Sequence, residues 1–140
     1  MNADYALHDA AAVFSPALLF YKDLIRRNIA RIVEMAGDPG RLRPHVKTHK
    51  TREIVRMELE AGVQKHKCAT IAEAEMIASS GAPDVLISYP LVGPNLGRLV
   101  ELVRTFPQTR FSTLFDHPDA TRALSAAVSA APPGSSHSGF

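Results

Sequence analysis

A single cysteine, Cys68, in 140 residues rules out an internal disulfide framework and any multi-cysteine zinc site built from this chain alone. It fits a reducing compartment. Charge of one sign is also lacking: 16 Lys and Arg against 14 Asp and Glu leave a formal net charge of +2, so no overall field draws the chain to nucleic acid or to an anionic membrane. No apolar run approaches the ~20 residues of a membrane-spanning helix. The opening residues, MNADYALHDAAAVFSP, lack the basic start and apolar core of a secretory signal. These absences, with 46% hydrophobic residues, predict one soluble cytoplasmic domain with neither nucleic acid nor membrane as a partner.

What the chain does contain is alternation. Short β-prone runs and amphipathic segments succeed one another about every twenty residues, a βα pattern without recognisable repetition of sequence. The first strand is expected at Ala17–Tyr21, followed by a helix capped at Asp23, striped by Leu24, Ile25, Ile29, Ile32, Val33 and Met35, and stopped at Gly37. A second strand is expected at Leu42–Thr48, with a helix from Thr51 to Ala61. A third spans Lys65–Ala69, before a capping box at Thr70-Ile71-Ala72-Glu73 and a helix ending near Gly81. Val85–Tyr89, Asn95–Thr105, Arg110–Phe115 and Pro118–Ala130 continue the series. Residues 1–130 form the expected domain, and 131–140, rich in Pro, Gly and Ser, an expected disordered tail.

Five βα units suit two α/β architectures. One is a self-contained five-stranded doubly wound sheet, which the length favours; the other is part of a (β/α)8 TIM-type barrel, which normally needs ~250 residues. Strand order separates them, because sequential neighbours 1-2-3-4-5 mean a barrel segment and 2-1-3-4-5 a doubly wound sheet.

The stretch RPHVKTHK, residues 43–50, stands out within this pattern. In an extended segment Arg43, His45, Lys47 and His49 share one face and Pro44, Val46 and Thr48 the other. A basic row is foreign to a parallel sheet covered on both faces, since a buried unpaired ammonium is very costly. Either the strand is an exposed edge guarded by lysines, or the row meets an anionic ligand. In the second case, a lysine crowded by cations has a lowered pKa, its neutral amine can attack a carbonyl, and the neighbouring charges suit a phosphate-bearing cofactor.

The run Arg41-Leu42-Arg43-Pro44-His45-Val46-Lys47-Thr48-His49-Lys50-Thr51, preceded by Arg27-Asn28-Ile29-Ala30, resembles the pyridoxal-phosphate motif of the D-threonine aldolase and D-serine dehydratase family. Cys68–Glu75, Ile87–Pro94 and Phe111-Ser112-Thr113 leading to Asp116-His117-Pro118 extend the resemblance over roughly residues 15–130. It implies a fold-type III enzyme with an alanine-racemase-like N-terminal barrel, and Lys47 as the catalytic residue that holds pyridoxal 5'-phosphate as a Schiff base. It also implies a small-molecule β-hydroxy-D-amino acid as substrate, cleaved to glycine and an aldehyde or dehydrated, and a homodimer in the full-length family. His45, His49 and Thr51 are the accompanying cofactor-binding candidates. Alanine racemases carry a tyrosine four residues after their lysine, where this chain has Thr51, so a racemase is disfavoured.

The same resemblance implies further barrel strands and a C-terminal β-domain, so the chain is expected to be an N-terminal portion whose own turnover is open. The alternative is a non-catalytic pyridoxal-phosphate-binding fragment or carrier. The family's divalent metal is held near its C-terminus by a histidine and a cysteine two residues apart. His66 and Cys68 share that spacing in a different region and are read as ordinary strand residues, so no metal site is expected here. Tyr89 is read as packing, Glu73 and Glu75 as helix capping and solvated face, and Asp116-His117-Pro118 as a turn and helix start.

Overall fold

The computed structural model describes Tyr5, Leu7 and residues 9–130. The expected tail at 131–140 lies outside the described residues. Within them the order is α1 (Lys22–Ala36), α2 (Arg52–Glu60), β1 (Lys65–Cys68), α3 (Ile71–Ser79), β2 (Asp84–Pro90), α4 (Asn95–Thr105), β3 (Arg110–Leu114) and α5 (Pro118–Ser129). The strands form a parallel sheet in the order β1-β2-β3, with Lys65 opposite Asp84 and Asp84 opposite Arg110.

Two of the five expected strands do not form. Among the described residues no backbone ladder forms along 17–21, and Leu18 is left 77% exposed, because an extended segment without a hydrogen-bonded neighbour is no strand. The segment expected to run from Leu42 to Thr48 is reduced to one parallel bridge, His45 with Lys67, after which Val46–Thr48 turns as a 3-10 helix. Pro44 explains part of this. It has no N–H to offer a ladder, so it contributes only its carbonyl, which accepts from the Lys67 N–H at 2.9 Å.

That bridge decides the architecture. In the doubly wound order the second segment would be separated from β1 by the first, whereas here it lies directly beside β1. The helices agree: α1 packs on α2, α2 on α3, α3 on α4 and α4 on α5, a continuous layer of successive neighbours. The chain is therefore a sequential (β/α)8-barrel segment. A doubly wound sheet would divide successive helices between its two faces.

Local signals account for the helices. Thr70 accepts from the Glu73 N–H at 3.1 Å, the hydroxyl half of the capping box, and Glu73 Oε2 accepts from the Ala69 N–H at 2.8 Å, one residue before the cap, so the two side chains together start α3. Asp23 sits in the first turn of α1, where its charge suits the helix dipole, but Tyr21 occupies the cap position. Gly62 follows α2 with φ 87°, and a Cβ there would stand 3.2 Å from Pro39 Cγ, so the left-handed exit admits glycine best.

The core lies between sheet and helix layer. Val85 and Ile87 of β2 meet Val55 of α2, Ile77 of α3 and Leu99 and Leu102 of α4. The apolar stripe of α1 is not buried to the same degree: none of its residues is fully enclosed, and Ile32 and Met35 are 52% and 72% exposed. Ile87→Ala, which empties volume in the central strand, is expected to cost ~2–5 kcal/mol. Ile32→Ala is expected to stay within ~0.5 kcal/mol of the parent protein, both measured by urea unfolding.

Candidate functional site

The turn that carries Lys47 is fixed from both ends. At its start the Lys47 N–H donates to His45 Nδ1 at 3.2 Å, and the Thr48 hydroxyl donates to the His45 carbonyl at 3.3 Å. At its end the N–H groups of His49 and Lys50 both return to the Val46 carbonyl, at 3.1 and 2.8 Å. Val46 is fully buried in the core, and Lys47 beside it is exposed. The Lys47 side chain is thus rooted in a packed turn and reaches solvent.

The alternating row read for residues 43–49 breaks at Val46, because the 3-10 turn replaces extended geometry. Arg43 is engaged at the far end of β2, donating to Asp84 Oδ1 at 2.6 Å and to the His66 carbonyl at 3.1 Å. His45 stays near Lys47 and gains Lys67 as a neighbour through the bridge. Burial pushes its pKa below the ordinary 6.5, Lys47 and Lys67 push it further down, and Glu73 opposes them. His45 is accordingly neutral at pH 7. Since Nδ1 accepts the Lys47 N–H, the ring proton sits on Nε2.

His49 departs from this group. Its Nδ1 accepts from the Thr51 N–H at 3.1 Å, and the Thr51 hydroxyl donates to its carbonyl at 2.6 Å. Burial lowers its pKa most and His66 lowers it further, while Glu58, the hydrogen bond from Thr51 and Glu73 raise it; Glu58 and His66 form a polar pair beneath α2. In that pair His66, fully buried, lies 3.1 Å from Glu58 Oε2 through Nε2. Only His45 and Lys47 of the expected row remain together, and Lys67 joins them. Nothing in the local sequence of Lys67 marks it; strand register brings it in.

Cys68 and His66 both lie on the helix-facing, buried side of β1. Burial, reinforced by Glu73, pushes the Cys68 thiol up to about 12, so it is protonated and inert at neutral pH. Among the described residues no three His, Cys, Asp or Glu side chains are grouped as a metal would require. No helix of the described residues is long and apolar enough to cross a membrane. Tyr89, 61% exposed, uses its carbonyl to accept from the Thr113 hydroxyl at 3.2 Å. His117 caps α5, accepting from the Asp119 N–H.

Residues 22–133 match the family described as alanine racemase, N-terminal domain. The chain belongs to that family. The chain is 33% identical over 91 residues to the D-threo-3-hydroxyaspartate dehydratase of Delftia sp. (strain HT23), covering 64% of the chain and 24% of that relative. It is 30% identical over 100 residues to the 3-hydroxy-D-aspartate aldolase of Paracoccus denitrificans, covering 69% and 26%. The crystal structure of the D-threonine aldolase from Filomicrobium marinum superposes with a TM-score of 0.76 at 33% identity, over 87% of this chain and 33% of that one. The domain spans about a quarter of the length of these two curated relatives.

The shifted groups predict the pH dependence of stability. His45 and His49 titrate below 6.5 when folded, so the unfolded chain takes up protons first as pH falls. Their contribution is present above 6.5 and is lost as pH drops through the folded values. Cys68 acts at the other end. Its thiol ionises at 9.0 when unfolded and at about 12 when folded, so its contribution is full below 9.0 and is lost as pH rises toward about 12. Urea midpoints taken across pH are expected to fall on both sides of this window. Iodoacetamide at neutral pH is expected to spare Cys68 in the folded protein and to modify it in urea.

Proposed function

We propose that this chain supplies Lys47 as the cofactor-holding residue of a pyridoxal-phosphate-dependent lyase acting on β-hydroxy-D-amino acids. The observation that carries the reading is the grouping of an exposed Lys47 with neutral His45 and with Lys67. A reactive amine, an N–H donor and a second ammonium are set around one end of the segment beside β1. Barrel enzymes place their chemistry where strands end in this direction. The relatives' activities, aldol cleavage and dehydration of 3-hydroxy-D-amino acids, support the substrate class.

The residues present fit an anionic, aldehyde-bearing group. Lys47 provides the amine, and Lys67 with His45 Nε2–H provides positive and hydrogen-bonding partners for its negative charge. His49 and Thr51 complete the proposed set one step further along. Thr51 contributes a donor only by turning its hydroxyl from the His49 carbonyl, now 2.6 Å away. When bound, the cofactor supplies an electron sink for charge developing on the amino acid. Burial and two ammonium neighbours keep His45 uncharged at working pH, and with Nδ1 occupied it can accept the proton that Lys47 must lose to become nucleophilic only if its ring changes hydrogen-bond partner.

A second reading, cofactor binding without turnover, is favoured by the openness of the strand ends, where Tyr89 and Phe115 are 61% and 57% exposed. Incubation with pyridoxal phosphate, borohydride reduction and peptide mapping test what the two readings share. The adduct is expected on Lys47 and is expected to vanish in Lys47→Ala; an adduct spread equally over the lysines of both proteins overturns the assignment. Release of glycine from D-threonine or of pyruvate from D-serine distinguishes turnover from binding alone.

A further inference from the structure

Lys50 is the last residue of the Lys47 turn and has φ 48°, in the left-handed region that a lysine enters only at a conformational cost. No glycine relieves it. What stands against it is an ion pair: Lys50 Nζ lies 3.4 Å from Oε1 of Glu73, whose side chain is 6% exposed while that of Lys50 is 66% exposed. The other oxygen of Glu73 accepts from the Ala69 N–H at 2.8 Å, just past the end of β1. One buried carboxylate therefore holds the loop after β1 with one oxygen and the end of the Lys47 turn with the other. Helix capping alone, the ordinary duty of a glutamate at this position, uses only the first of these contacts.

We propose that Glu73 is a positioning residue for Lys47, acting through Lys50 as a strap that locks the turn onto β1. The inference rests on the reading of Lys47 as the cofactor lysine. A buried carboxylate facing a single mobile ammonium keeps that ammonium close, because few other partners can satisfy its charge. The Lys50 backbone is then held left-handed, the turn-closing N–H bonds of His49 and Lys50 to the Val46 carbonyl are retained, and Lys47 is presented in one orientation toward His45 and Lys67. Without the strap the turn relaxes, and the amine samples positions away from its partners.

The test compares Glu73→Gln, Lys50→Met, Lys50→Arg and Lys50→Gly with the parent chain. After pyridoxal phosphate and borohydride, the adduct on Lys47 is measured relative to that on exposed Lys22 in the same sample, and amide hydrogen exchange is followed at His49 and Lys50. Glu73→Gln and Lys50→Met are expected to lower the Lys47 to Lys22 ratio about tenfold, within the ~10²-fold that misplacing a reacting group can cost. Exchange at the two amides is expected to quicken, and Lys50→Arg to restore both readouts. Lys50→Gly, which removes backbone strain together with the ion pair, is expected to behave as Lys50→Met. Parent-like labelling in folded Glu73→Gln and Lys50→Met, or in Lys50→Gly, overturns the strap. Should Glu73→Gln fail to fold, the Lys50 variants decide, since that side chain is exposed. Absence of a Lys47 adduct in the parent defeats the cofactor assignment instead, and the exchange data then still judge the strap.

Discussion

The hydrogen bond from the Lys67 N–H to the Pro44 carbonyl joins the basic stretch to the sheet, and most of what is distinctive about the molecule follows from its being one-sided. Pro44 can accept but cannot donate, so pairing begins there and does not continue as a ladder. The chain is released into a 3-10 turn within one residue, Val46 drops into the core, and Lys47 is left outside. Had the strand continued, the alternation would have carried Lys47 along a flat row. The Arg43 contacts to Asp84 and the His66 carbonyl secure the other side of the joint, so the segment is fixed laterally even though it holds a single bridge.

Buried polar groups flank this joint on the helix side. Among the described residues Glu73 and His66 are the two buried polar side chains, each lying beside a partner, Lys50 and Glu58. Among the described residues His66 Nδ1 finds no hydrogen-bond partner, an arrangement that ordinarily costs ~1–3 kcal/mol. Such groups are poor sources of net stability but strong sources of register. A one-residue slip of β1 would exchange His66 and Cys68 for Lys65 and Lys67 on the helix side and place two ammoniums in the core.

The helices were largely legible from periodicity and end signals. The glycines after α1, α2 and α3, the capping box at Thr70 and the proline at the start of α5 each mark an observed boundary to within a residue or two. Strands were legible where the run had neighbours, at β1, β2 and β3. They failed at 17–21 and 42–48, since hydrophobic content says that a segment prefers to be covered but not whether another backbone stands beside it. The stripe on α1 teaches the same point: its spacing names the face, while Ile32 and Met35 remain exposed.

Alone, the sequence determined the βα alternation, the helix boundaries, the capping role of Glu73 and the motif centred on Lys47, because each depends on residues close together along the chain. Tertiary structure decided the sequential barrel order, the replacement of the second strand by a turn, the arrival of Lys67 beside His45, and the second contact of Glu73 with Lys50. These depend on strand register and on backbone hydrogen bonds between segments about twenty residues apart. Local pattern constrains which face a side chain prefers, and only the paired backbone determines which neighbours it finds there.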